Sequence, residues 1–172
     1  VLMYGNPKLD ILKRIQKQFV HKFDNNQSFG SIKKIYFNEN LDIDHKNGYF
    51  DLVLTFRNSH NWLQMKKAEK AYNSFSKLIK KGGILGVVQH RASANNEKDF
   101  DKGYVKESFL IKLIENQGFK FIEKSEINAN PRDLKNYKKG VWSLPPRFSD
   151  GKKTQYLNIG ESDRMTLKFI KL

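Results

Sequence analysis

The chain opens on a short apolar run, VLMYG (Val1 to Gly5), and passes at once to Asn6-Pro7. A capping side chain followed by proline marks a helix start. Leu12, Ile15, Phe19 and Phe23, with Ile11 beside them, recur at helical spacing, so this helix is expected to reach about Phe23. Asp24 to Gly30 reads as a loop, Ile32 to Phe37 as a strand, and Asn38 to Gly48 as a polar connection. Phe50 to Thr55, charged only at Asp51, has the pattern of a buried strand. A second helix is expected from about Met65 to Lys81, with Ala68, Ala71, Tyr72, Phe75, Leu78 and Ile79 on its buried face and Gly82-Gly83 as its left-handed exit. Ile84 to His90 is the next strand and Arg91 to Tyr104 a long polar loop. A helix carrying Phe109, Leu110, Leu113 and Ile114 stops at Gly118, and strands follow at Phe119 to Ile127 and Met165 to Leu172.

This order is mainly an α/β alternation, which calls for a parallel sheet with helices on its faces. The last two strands have no helix between them, so they are expected to pair antiparallel at the sheet edge. The connection between them, Asn128 to Asp163, is too long for an ordinary loop. Its aromatic, proline-stiffened GVWSLPPRF (Gly140 to Phe148) argues that it folds back over the sheet.

At 172 residues the chain is expected to form a single domain, 1–172. Its mean hydropathy is −0.68 and no apolar run is long enough to span a bilayer. There is no cysteine, which excludes disulfides and thiolate metal sites, and no metal site is expected. The first residue is Val1, already inside an apolar run, so the native N-terminus is expected to lie upstream. The expected compartment is the cytoplasm, with export left open by that missing start. The net charge of +14 raises the question of nucleic acid, but only six of the 32 basic residues are arginines, and the lysines are scattered over every segment. Base readout uses bidentate arginine and stacked aromatics gathered on one face, and no such stripe is visible.

Candidate chemistry gathers where two strands end. The first apolar strand runs straight into Arg57, Asn58, Ser59, His60, Asn61 and Trp62, and ILGVV runs into Gln89, His90 and Arg91. Ligands of open α/β sheets sit outside the carboxyl ends of the strands. Two adjacent polar strand ends together point to a pocket, while each residue taken alone reads more readily as a helix cap or a surface side chain. Glu161, Asp163 and Arg164 form a late charge cluster that either reaches across to Arg57 or Arg91 or steadies the long connection.

FDLVLTFRNSHNWL, GGILGVVQHRA, SEINANPRD, GVWSLPP and IGESDRMTLKFIKL, in that order, resemble the bacterial class I S-adenosylmethionine-dependent methyltransferase-like proteins. The resemblance runs from about Phe50 to the C-terminus. It implies a Rossmann-like α/β sheet ordered 3-2-1-4-5-7-6 with the last strand antiparallel. On that alignment VLMYG is the second strand, and the first strand and its glycine-rich turn are not in this chain; no G-x-G pattern occurs. Without that first strand, the strands on either side of it would present unpaired edges.

The implied function is methyl transfer from S-adenosyl-L-methionine to an acceptor, with a small molecule expected and nucleic acid disfavoured. The implied catalytic residues are His60 as base, since an imidazole titrates near neutral pH, and Asn58 to orient the acceptor. Arg57 or Arg91 would anchor an anionic substrate, and Trp62, His90, Trp142, Glu161 and Arg164 would complete the acceptor pocket. The cofactor would meet Asn6 at the ribose, and Asn38 and Glu39 at the adenine. Two alternatives stand beside this. One is a non-catalytic module on the same fold with a basic, nucleic-acid-binding surface. The other is a nicotinamide-dependent enzyme, disfavoured by the missing dinucleotide fingerprint and the antiparallel final pair. The sequence leaves the oligomeric state open.

Overall fold

A computed structural model describes residues 1–5, 10–24 and 26–172. The chain divides into two compact units, Val1–Lys46 and Asn47–Leu172. The expected helix start at Asn6-Pro7 lies outside the described residues.

In the first unit, β1 (Leu2–Tyr4) pairs parallel with β2 (Ile35–Phe37), and α1 (Asp10–Phe23) connects them. A parallel pair needs such a crossover. The second strand starts at Ile35 rather than Ile32, because Lys33 and Lys34 fall before the ladder. Met3, Phe37 and Leu41 are buried, and Phe23 packs between Phe19 and Phe29 at ring separations of 4.6 and 4.8 Å.

The second unit is built on four strands in the order β3-β4-β8-β7: β3 (Phe50–Phe56), β4 (Ile79–His90), β8 (Arg164–Lys171) and β7 (Phe119–Ser125). Strands β3 and β4 are parallel, and β8 runs antiparallel to both its neighbours, so the expected antiparallel pair lies at the β7 edge. The core forms where alternate residues Leu85 and Val87 of β4 and Met165, Leu167 and Phe169 of β8 turn inward. Two helices cover that face: α3 (Ala68–Leu78) with Ala71, Tyr72, Phe75 and Leu78, and α4 (Glu107–Glu115) with Leu110, Leu113 and Ile114. Each large apolar side chain so buried contributes about 1.5–3 kcal/mol.

The expected helix Met65–Lys81 is corrected in two ways. Helix starts earlier, as the short α2 (Ser59–Gln64), then breaks at Lys66, whose φ is +55°, before α3 begins. It also ends earlier, at Leu78, and Gly82-Gly83 lies inside β4. Phe50 pairs with Ile79 but Leu52 pairs with Ile84, so the two glycines form an irregular bulge rather than a helix exit. A Cβ on Gly83 would stand 2.6 Å from Ile79 Cγ2 and 3.0 Å from the Asp51 carbonyl, which explains the choice of residue.

The loop after β4 holds a small hairpin, β5 (Phe100–Asp101) with β6 (Tyr104–Val105). The long connection is ordered by two small clusters. One is Tyr137, Leu144 and Tyr156, the last on α5 (Lys153–Tyr156), and the other is Val141 with Ala92 and Tyr104. It is tied back to β8 where Asn128 Nδ2 donates to Thr166 Oγ1 at 2.8 Å. Gly140 locks the second cluster: its φ is +58°, and a Cβ there would lie 2.1 Å from the Lys102 carbonyl oxygen. Gly140→Ala is expected to cost about 2–4 kcal/mol by urea denaturation, from strain and overpacking together. Gly151→Ala is the control, since Gly151 shares the left-handed φ (+76°) but has open space around it. Equal losses for the two variants would contradict the packing account.

Candidate active site

Strand β3 ends at Phe56, and Arg57 takes a left-handed turn (φ +57°) fixed by its own N–H donating to the Val88 carbonyl at 2.7 Å. The turn reverses the chain so that the Asn58 carbonyl accepts the first N–H of α2, from Asn61 at 2.9 Å. One helical step later, Ser59 is anchored to the Tyr72 hydroxyl at 2.7 Å, and His60 is buried. On β4 the inward alternation Leu85, Val87, Gln89 carries a polar side chain into the same interior, and His90 follows it. The two strand ends therefore deliver both histidines to one place: the His60 and His90 rings lie 5.5 Å apart, and the Trp142 ring stands edge-on to His60 at 5.8 Å.

Each imidazole has one nitrogen occupied. His60 Nδ1 faces the Gln89 amide, 3.2 Å from Nε2 and 3.4 Å from Oε1, and Gln89 Nε2 also donates to the Gly103 carbonyl at 2.9 Å, which fixes the amide. His90 Nδ1 meets the buried Ser162 hydroxyl at 2.5 Å. Burial pushes the His60 pKa below its usual value, the Gln89 hydrogen bond partly offsets this, and the Arg57 charge adds to the lowering. Burial pushes His90 down to about 3, helped by the charges of His60, Arg57 and Arg164. Both rings are neutral at pH 7. Sequence reasoning named Gln89 in the polar strand end but gave it no role, and it missed Ser162. The signal for Gln89 was present, since Leu85-x-Val87-x-Gln89 places it on the buried face of a strand; for Ser162 no signal stood out from its loop.

The other candidates separate. Trp62 is buried against Tyr72 and Phe75 at ring separations of 5.7 and 5.6 Å, so it is core and is removed from the pocket wall. Arg91 is also corrected: its Nε and both Nη atoms donate to Asp163, Glu126 and Glu107 at 2.6–3.3 Å. That engages all five guanidinium donors and leaves none for a substrate. Burial would raise Asp163, but Arg91, Lys135 and the Asn130 N–H hold its carboxyl below the usual range. Asp163 thus reaches Arg91, whereas Glu161 pairs with Arg164 three residues on. Arg164 Nε is buried with no hydrogen-bond partner among the described residues. Asn58 is exposed and donates to Thr55 Oγ1 at 3.3 Å, which leaves its amide oxygen open. Among the described residues no group of three or more metal-ligating side chains occurs. No helix there is long and apolar enough to cross a membrane.

No family model matches the chain, and no curated protein does. Solved structures do match. A SAM-dependent methyltransferase from Methanosarcina mazei is similar with a TM-score of 0.58 at 12% identity, over 99% of this chain and 80% of that one. One from Aquifex aeolicus has a TM-score of 0.57 at 8% identity, over 95% and 65%. This is the SAM-dependent methyltransferase fold. The [4+2]-cyclase SpnF shares it, with a TM-score of 0.59 at 13% identity over 94% of this chain, which spans only 63% of the cyclase. A methyltransferase fold therefore does not by itself set the reaction.

The residues assigned to the cofactor are Asn6, Asn38 and Glu39. Asn6 lies outside the described residues, and Asn38 Oδ1 accepts the N–H groups of Asn40 and Asp42 at 2.8 and 3.0 Å, closing its own turn. Glu39 is exposed. A Cβ on Gly5 would meet the Phe37 carbonyl at 3.0 Å, so the space beside that glycine is filled by protein.

Proposed function

We propose that the chain belongs to a SAM-dependent methyltransferase acting on a small-molecule acceptor, and that its second unit supplies the acceptor site. The observation that carries this is the 5.5 Å meeting of His60 and His90 at the ends of adjacent parallel strands, beside Trp142. In this reading His60 takes a proton from the acceptor. The tautomer in which Nδ1–H donates to Gln89 Oε1 leaves Nε2 with a free lone pair, and the depressed pKa keeps that form populated at neutral pH. Gln89, fixed by the Gly103 carbonyl, positions the ring and supports the imidazolium that follows. Asn58 offers its amide oxygen to orient the acceptor, and Trp142 forms a wall.

Calorimetric titration of the whole protein with S-adenosylmethionine and with NAD tests the assignment: saturable binding of the first alone is expected, and binding of NAD alone would overturn it. His60→Ala is expected to lower turnover by about a hundredfold or more while leaving cofactor affinity nearly unchanged. Unchanged turnover would remove His60 from the reaction. The high basic charge keeps a nucleic-acid-binding module as a second reading. Steeply salt-dependent RNA or DNA binding without cofactor binding would favour it.

A further inference from the structure

We infer that the open edge of β3 is an interface with a second copy of this chain. The two β3 strands pair antiparallel about a dyad at Leu54 and join two four-stranded sheets into one. This goes beyond the methyl-transfer reading and does not depend on it.

The sheet of the second unit ends, among the described residues, on β3 at one side and β7 at the other. The sequence treats the two edges differently. Strand β7 carries exposed Lys120, Glu123 and Lys124, and its register shifts between Phe121 and Glu123. Charges and an irregular ladder keep an open edge from pairing. From Leu52 to Phe56, β3 has no charge and no proline, and its register with Ile84 to Val88 is unbroken. Its alternate side chains Leu52, Leu54 and Phe56 are 51%, 53% and 56% exposed. A regular, uncharged, apolar edge with no such protection is built to be paired.

The backbone selects the pairing and the charges select the occupant. The Arg57 N–H donates to the Val88 carbonyl, and Phe56 lies opposite Val88. Alternation along the strand then turns the N–H and C=O groups of Thr55 and Val53 toward β4, and those of Phe56, Leu54 and Leu52 toward the open edge. An antiparallel partner exchanges hydrogen bonds with those three residues. A dyad at Leu54 sets Leu54 against its copy and Leu52 against Phe56 twice, so every cross-strand pair on that face is apolar. Asp51 and Arg57 stand three residues either side of Leu54, which sets each Asp51 against the other copy's Arg57. Both side chains are exposed, and Asp51, although it meets Lys80 at 2.7 Å, is 83% exposed and open to a second cation. Moving the dyad to Val53 would also satisfy the backbone, but it would set Asp51 against Thr55 and leave Arg57 unmatched. One strand thus carries both halves of its own complement, as a two-fold interface requires.

Sedimentation of the unchanged chain is expected to show monomer passing to dimer, and no further, over roughly the micromolar range, since the ladder is short. The chain has no cysteine, so Leu54→Cys places one thiol on each copy. Opposite residues of a hydrogen-bonded antiparallel pair stand about 5.5 Å apart at Cα, within disulfide reach. Mild oxidation is expected to cross-link Leu54→Cys readily and Ile122→Cys, exposed on the β7 edge, little or not at all. Asp51→Arg and Arg57→Asp are each expected to weaken the dimer about tenfold, and the two together to restore it. A chain monomeric throughout, open-ended assemblies, equal cross-linking at the two cysteines, or a double reversal no better than the singles would each overturn the inference. So would a dimer formed by residues 1–172 and absent from the whole protein, because a segment of its own would then hold the edge. The unchanged chain and the two cysteine variants decide the matter even if the charge variants do not fold. Neither cofactor nor turnover is involved, so the outcome leaves the methyl-transfer reading to its own test.

Discussion

Replacing Arg91 by methionine is expected to cost about 3–5 kcal/mol of folding stability, read as a fall in the urea midpoint at constant m-value. The arginine bridges three elements: Glu107 opens α4, Glu126 follows β7, and Asp163 precedes β8. Removing one partner of a buried set leaves the others charged and unpaired, which costs more than the set contributes when intact. Most of the loss falls on Asp163, whose side chain is 5% exposed and keeps Lys135 alone as a counterion among the described residues. Glu126, at 52% exposure, contributes little. Arg91→Lys restores charge but not five donors and should fall between. A loss below about 1 kcal/mol for the methionine variant would mean the network is surface decoration. The network also has an acid limit. Asp163 is held below its usual value of 3.8, so the stabilisation is present above that pH and is lost as pH falls through the still lower folded value.

The second large effect is the pH dependence that His90 imposes. Its folded pKa is about 3 against 6.5 in the unfolded chain, so the unfolded state takes up a proton first. Stability is therefore full above about pH 6.5 and falls by roughly 1.4 kcal/mol per pH unit on acidification, until the folded ring also titrates near pH 3. His60 contributes in the same direction. His90→Gln removes the titrating group. The difference in unfolding free energy between the two proteins should shrink by a few kcal/mol, in order of magnitude, between pH 6.5 and pH 4. Groups common to both proteins cancel in that difference. Parallel pH profiles would show that His90 is solvated and protonates freely.

How much of this was readable beforehand varies by element. The strand Phe50 to Thr55 was legible in position, but its expected burial is corrected. Strand β3 ends its sheet among the described residues, Leu52, Leu54 and Phe56 are 51–56% exposed, and Thr55 is the buried side chain. The helix around Leu110 and Ile114 was legible because its stop, Gly118, adopts the left-handed φ of +83° that the residue type suggests. Gly82-Gly83 misled because a glycine pair serves a helix exit and a strand bulge equally well, and only the pairing of β3 with β4 distinguishes them. At the site, the polar run after each strand announced His60 and His90. Nothing local separated Trp62, which packs into the core, from Trp142, which stands beside His60.

The order and type of the main elements, the two polar strand ends and the excess of lysine over arginine follow from residue periodicity and composition alone. These are local properties, written within a few residues of one another. Which side chains meet was decided by the tertiary structure. The Gln89 amide, 29 residues from His60, and the Ser162 hydroxyl, 72 residues from His90, become ring partners only when β4 is paired on both sides. Likewise Arg57 and Arg91 are equivalent as letters, and become different only when three carboxylates from distant segments close on one and leave the other alone. Charge neutralisation acts through space over a few ångströms, and the chain brings those ångströms together only by folding.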